Sequence, residues 1–152
     1  LRRREKEITD RKSIVEILAS GKVCRLALTD GRMPYMVPVN YGYKDNALYV
    51  HSSKSGKKID MIQKNSTVCF EIEQGVEIVS ADAPCSWNTR YTCLIGYGRA
   101  ELLPDRRGKT EGLEAIMKQQ SGREGWRYDE KLLEEVAVLK ITIDSVSGKR
   151  SD

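Results

Sequence analysis

The sequence predicts a mainly β fold, an antiparallel barrel with helices appended to it, in one domain spanning residues 1–152. Three observations carry this. Thr67 to Glu73 alternates strictly, with Val68, Phe70 and Ile72 facing one way and Cys69 and Glu71 the other, the pattern of a half-buried strand. Asp30-Gly31 and Asp45-Asn46 are hairpin turn signals between strand-like runs. Helical stretches occur, but not after every strand, so the chain does not read as a parallel βαβ array.

Taken in order, Thr9-Asp10 stands before Ile14, Val15, Ile17 and Leu18, with Ser13 and Glu16 at capping-box spacing and Gly21 following, which predicts a short amphipathic helix. Val23 to Thr29 is a strand. Pro34 to Tyr43 is strand-like despite Pro34 and Pro38, and prolines there imply an edge, a bulge or a ligand lying against the backbone. Ala47 to His51 is the third strand of this meander, and Gly56 to Lys64 a helix. After Thr67 to Glu73, the stretch Glu77 to Ser86 reads as a loop or irregular strand. Tyr91 to Leu103 is a long strand whose Gly96 and Gly98 mark a bulge, a bend or a close backbone approach. Lys109 to Gln120 is helical, Ser121 to Tyr128 a glycine-containing loop, Leu132-Leu133 a helical turn, and Val136 to Ile143 a last, β-branched strand.

Composition narrows the function classes. Hydrophobic residues at 39% against charged residues at 32% fit a folded soluble domain. The net charge of +4 is mild, and outside Arg2-Arg3-Arg4 and Lys149-Arg150 the signs are interspersed, so no basic stripe points to nucleic acid. No apolar run approaches the about 20 residues that span a bilayer, and no apolar segment follows the basic start as in a signal peptide, so a cytoplasmic protein is expected. Four cysteines without a close pair, and a single histidine, argue against a structural metal site.

The chemistry concentrates in Leu48 to Asp60. A strand ends in Ser52 to Gly56 and opens into a helix, with Ser53 or Ser55 available as N-cap. Lys57 and Lys58 then occupy the first turn, where the helix dipole is already positive and a cation is unfavourable by about 0.3–1 kcal/mol. Free N–H groups, hydroxyls and two ammonium groups together describe a phosphate site. Two solvated lysines on an ordinary surface helix are the alternative.

Five segments, Pro38-Val39-Asn40-Tyr41, Leu48 to Ser52, Gly56-Lys57-Lys58, Trp87, and Gly96 to Glu101, form a set in order and spacing. As a set they resemble the flavin-binding split-barrel proteins related to pyridoxamine 5′-phosphate oxidase and, within these, the 5-nitroimidazole-resistance proteins. The resemblance covers about Glu7 to Lys149. It implies a six-stranded Greek-key split barrel that forms a homodimer with FMN in the clefts between subunits. Pro38, Val39, Asn40 and Tyr41 match the strand along the isoalloxazine ring, and Val50, His51 and Ser52 the next strand's ring and ribityl contacts. Ser53, Lys57 and Lys58 match the phosphate clamp, with a lysine, a point charge, where the oxidases carry the bidentate fork of arginine. Trp87, Tyr91 and Cys93 fall where the partner subunit approaches the flavin. The Trp and Arg segment that holds pyridoxal in the oxidases has no counterpart after Ile143, which argues against that substrate.

His51, the sole histidine, is the candidate catalytic proton donor, since an imidazole with a pKa near ~6.5 protonates a reduced nitro or nitroso group at neutral pH. A histidine that only hydrogen-bonds the flavin is the alternative. Trp87 and Tyr91 either stack on flavin or substrate, or pack an interface. Trp126 and Tyr128 either cover the cleft or anchor their own loop. The function implied is an FMN-dependent oxidoreductase acting on a small aromatic or nitro compound. A flavin- or haem-binding carrier or sensor without turnover is the second reading, and a deazaflavin protein the third.

Overall fold

A computed structural model describes residues 4–151, so the basic Arg2-Arg3 start lies outside the described residues. The elements are β1 (Glu7–Ile8), α1 (Arg11–Ser20), β2 (Val23–Thr29), β3 (Pro34–Asn40), β4 (Gly42–Lys44), β5 (Ala47–Ser53), α2 (Lys57–Lys64), β6 (Thr67–Val79), β7 (Asn88–Leu102), α3 (Arg106–Ser121), α4 (Glu130–Glu135) and β8 (Val136–Ser151). All strands join one antiparallel sheet in the order β3-β2-β6-β7-β8-β5-β4, with β1 paired to β8. The mainly β, antiparallel expectation holds. The sheet curls without closing: β3 approaches β5 with no ladder between them, which leaves a split.

Eight strands replace the six expected. The run from Pro34 to Tyr43 breaks at Tyr41, whose ring is fully buried and whose hydroxyl donates to the Leu18 carbonyl at 2.7 Å. That anchor turns the backbone away from β3 before Gly42 resumes as β4. β6 continues past Glu73 through a register shift between Gln74 and Glu77, so part of the predicted loop is strand. β8 runs on to Ser151 because β7 supplies ladder partners from Leu139 to Ser151.

Asp10, not Ser13, caps α1: its carboxylate accepts from the Ser13 amide and hydroxyl, both at 2.8 Å. Asp45 and Asn46 both take positive φ, 51° and 58°, as a tight hairpin of the primed type requires.

The inward faces of the strands, with Leu26, Phe70, Ile72, Leu94, Leu139 and Ile141, form the barrel core, which Ile17 and Leu18 of α1 and Ile59, Met61 and Ile62 of α2 plug. Each such side chain contributes about 1.5–3 kcal/mol on burial. A second cluster, Tyr49 and Val138 against Leu113, Ile116 and Leu133, seats α3 and α4 on the outside of β5 and β8. Gly96 exists for the core: a Cβ there would lie 2.1 Å from the Phe70 ring. At Gly98 the β7–β8 register shifts, as a bulge.

Candidate functional site at the barrel split

The site is built where β3, the end of β5 and the start of α2 meet. β3 is the terminal strand of the sheet path, so among the described residues one of its edges has no strand partner. Its side chains alternate: Tyr35, Val37 and Val39 are half-buried against the core, while Pro34, Met36, Pro38 and Asn40 point outward. β5 carries Val50 and Ser52 on the barrel side. His51 pairs with Val138 and so shares the opposite, helix-facing side with Tyr49; it is exposed.

The turn into α2 differs from the expected serine cap. The Ser53 hydroxyl donates to the Ser55 carbonyl at 2.7 Å, and the N-cap position is Gly56, with φ 124° and no side-chain hydrogen bond. Only glycine adopts that backbone readily. The first-turn N–H groups therefore have no side-chain acceptor. Lys57 lays its ammonium 4.7 Å from the centre of the Tyr35 ring, a cation–π contact that also ties α2 to β3. Lys58 is half-buried, and burial lowers its proton affinity below the ordinary lysine range. Cys24 is a titratable neighbour of Lys58, and burial pushes its thiol up to about 12. Cys24 is thus neutral at pH 7 and offers no counter-charge. Among the described residues neither Lys57 nor Lys58 has an ion-pair partner. A half-desolvated cation without an anion, beside an uncapped helix start, fits a phosphate group.

The structure sorts the predicted residues into separate places. Lys57, Lys58, Ser52 and Ser53 converge at the split. Tyr41 and Val50 are fully buried, so neither lines a cleft of the single chain. Pro38 and Asn40 lie on the outer sheet face, in register rows that run Pro38, Arg25, Glu71, Ile95, Ser147 across five strands. Tyr91 and Cys93 alternate with Leu94 onto that same outer face, together with Ile95 and Tyr97, which is 54% exposed. Strand rise and spacing put Tyr91 on the order of 25 Å from the Lys57–Tyr35 contact, too far for one flavin to touch both within a single chain.

Trp87 is 55% exposed, donates through Nε1 to the Ala81 carbonyl at 2.8 Å, and lines a cleft of about 370 Å³ with Tyr91 and Lys149. Cys93 donates to Glu71 at 3.4 Å, and burial together with that carboxylate raises its thiol to about 12, so it is held protonated. Trp126 and Tyr128 anchor their own loop: Nε1 of Trp126 donates to the Arg123 carbonyl, and the Tyr128 hydroxyl donates to Glu114. Sequence reasoning missed Tyr35 and Gln120. Strand alternation inside Pro34 to Tyr43 was the available signal for Tyr35. Gln120 had none, because its partners lie some 80 to 100 residues away.

A split antiparallel barrel with a cationic corner at its opening is thus the class of protein defined by the geometry. The chain belongs to the pyridoxamine 5′-phosphate oxidase family, whose model matches residues 10–150. A candidate 5-nitroimidazole antibiotic resistance protein from Bacteroides thetaiotaomicron is similar in structure, with a TM-score of 0.84, 31% identity, and 95% of this chain and 86% of that one covered. The FAD and haem binding protein of Mycobacterium smegmatis shares the fold at a TM-score of 0.84 and 20% identity, covering 97% of this chain and 74% of that one. An uncharacterized protein of Rhizobium meliloti is 29% identical over 101 residues, 66% of this chain but only 60% of that relative's length. None of the described helices is long and apolar enough to cross a membrane.

Proposed function

We propose that this protein is an FMN-dependent oxidoreductase that reduces a small aromatic or nitro compound. The observation that carries the flavin assignment is Lys58, a half-buried ammonium with no ion-pair partner among the described residues, beside the uncapped start of α2. In this reading Lys57, Lys58, Ser53 and the first-turn amides hold the FMN phosphate. The backbone of β3 from Pro38 to Asn40 lies along the ring, and Ser52 borders the ribityl chain. FMN, when bound, supplies the hydride and electron chemistry; the chain supplies placement and protons. His51, the candidate proton donor, is exposed on the helix-facing side of β5 and serves in this reading only where the cleft between subunits reaches that face. The relatedness to a candidate nitroimidazole-resistance protein supports the substrate class.

The separation of Tyr91 and Cys93 from the clamp supports a homodimer, with Trp87, Tyr91 and Cys93 brought to the flavin by a second copy. The outer sheet face suits that contact, since Met36, Ile95 and Tyr97 are exposed on it at 63%, 43% and 54%.

The test is the visible spectrum of purified protein after addition of FMN and desalting, beside a Lys57→Ala/Lys58→Ala variant. A yellow wild type and a colourless variant are expected. A wild type that retains no flavin overturns the assignment, and a Soret band from protein as purified moves it to a haem-binding carrier.

A further inference from the structure

The geometry points to Gln120 as a positioning residue for the flavin strand, an inference that rests on the FMN reading above. Gln120 sits in the last turn of α3, and its side-chain amide reaches across to two separate segments. Nε2 donates to the Tyr41 carbonyl at 2.9 Å and to the Lys22 carbonyl at 3.0 Å. Oε1 accepts from Asn40 Nδ2 at 3.5 Å, and the same Asn40 nitrogen donates to the Lys22 carbonyl at 3.2 Å. One amide therefore ties the C-terminal end of β3 to the α1–β2 corner and to α3.

The neighbouring groups are committed elsewhere. Gln119 accepts from the Tyr43 amide at 2.7 Å and donates to the Leu18 carbonyl at 3.1 Å, and its own carbonyl is held by the Lys22 ammonium. Among the described residues no strand flanks the free edge of β3. Asn40 is laddered to Val23 and Tyr41 is anchored to Leu18 by its hydroxyl; Gln120 adds the side-chain tie that fixes the backbone between them to α3. Removing the amide leaves the exposed Lys22 carbonyl to water and the buried Tyr41 carbonyl short of a donor. The ring-bearing strand loses its tie, and misplacement on the order of 1 Å is what a bound planar cofactor reports.

Apo protein is titrated with FMN, and both the affinity and the visible circular dichroism of the bound flavin are read, in wild type, Gln120→Ala, Gln120→Glu and Gln74→Ala. Gln74 is the control: its amide makes two comparable bonds, to the Ile17 carbonyl and the Ser20 hydroxyl, but holds β6 to α1 and does not touch β3. The expected result is an affinity about tenfold weaker and an altered flavin dichroic spectrum in Gln120→Ala. Gln120→Glu keeps the shape but loses both donors, so it is no better than alanine. Gln74→Ala retains both the affinity and the spectrum of the wild type. A wild type that binds FMN while Gln120→Ala matches it in affinity and spectrum overturns the positioning role alone. A wild type that binds no FMN overturns it together with the flavin reading.

Discussion

Replacing Lys58 by methionine separates binding from stability, with opposite signs for the two. Methionine keeps the length and apolar stem of the side chain and deletes only the half-buried ammonium. An unpartnered polar group is unfavourable when buried by about 1–3 kcal/mol on mutational scales, and half of that applies at a half-buried position. The apo variant is therefore expected to be about 1 kcal/mol more stable than wild type, or about 2–4 °C in Tm for a chain of this size. The FMN-bound state moves the other way. Loss of one charge-assisted bond to phosphate removes about 1.5–3 kcal/mol, an affinity about 10- to 150-fold weaker.

The pH dependence follows from the direction of the shift. The folded state holds the Lys58 proton less well than the unfolded state, so wild-type stability rises with pH through the folded pKa and the variant's advantage fades toward about pH 10. Lys57→Met is the contrasting variant. Its ammonium rests on Tyr35, and its loss lowers apo stability by about 0.5 kcal/mol. Thermal melts of apo protein across pH and flavin fluorescence titrations read both quantities. A Lys58→Met protein that melts below wild type and binds FMN with unchanged affinity would refute the reasoning.

Two further outcomes follow from the same geometry. Gly96→Ala drives a methyl into the fully buried Phe70 ring and is expected to destabilise by about 3 kcal/mol; denaturant melts should show Phe70→Leu recovering part of that loss, and simple additivity of the two changes would exclude the clash. With its thiol at about 12, only about one Cys93 in ten thousand is thiolate at pH 8. Alkylation followed by peptide mass mapping should label the exposed Cys85 first, Cys93 much later and the buried Cys24 last, and equal rates for Cys85 and Cys93 would contradict the Glu71 contact.

Much of the fold was legible because its signals are local. Asp45-Asn46 demanded positive φ, and both residues have it. The Val68, Phe70, Ile72 alternation is the core face of β6. Lys57 and Lys58 stood out because the rule they break, the sign of the helix dipole, acts within one turn. The capping of α2 was misread because Ser53 found a nearer acceptor, and two strands were missed because their limits depend on partners. β1 exists only against β8, and β4 is separated from β3 only because Tyr41 is captured by α1.

By itself, then, the sequence determined six of the strands, the turns, the antiparallel class and the unusual cations at the start of α2, whose signals are local. The tertiary structure decided which candidates meet. It buried Tyr41 and Val50, turned His51 to the helix side of β5, desolvated Lys58 against Cys24, and placed Tyr91 and Cys93 far along the sheet from the clamp. It also brought Gln120 to Asn40 across 80 residues of chain. Burial and long-range pairing depend on what the rest of the chain places at each position, and no short window of residues contains that information.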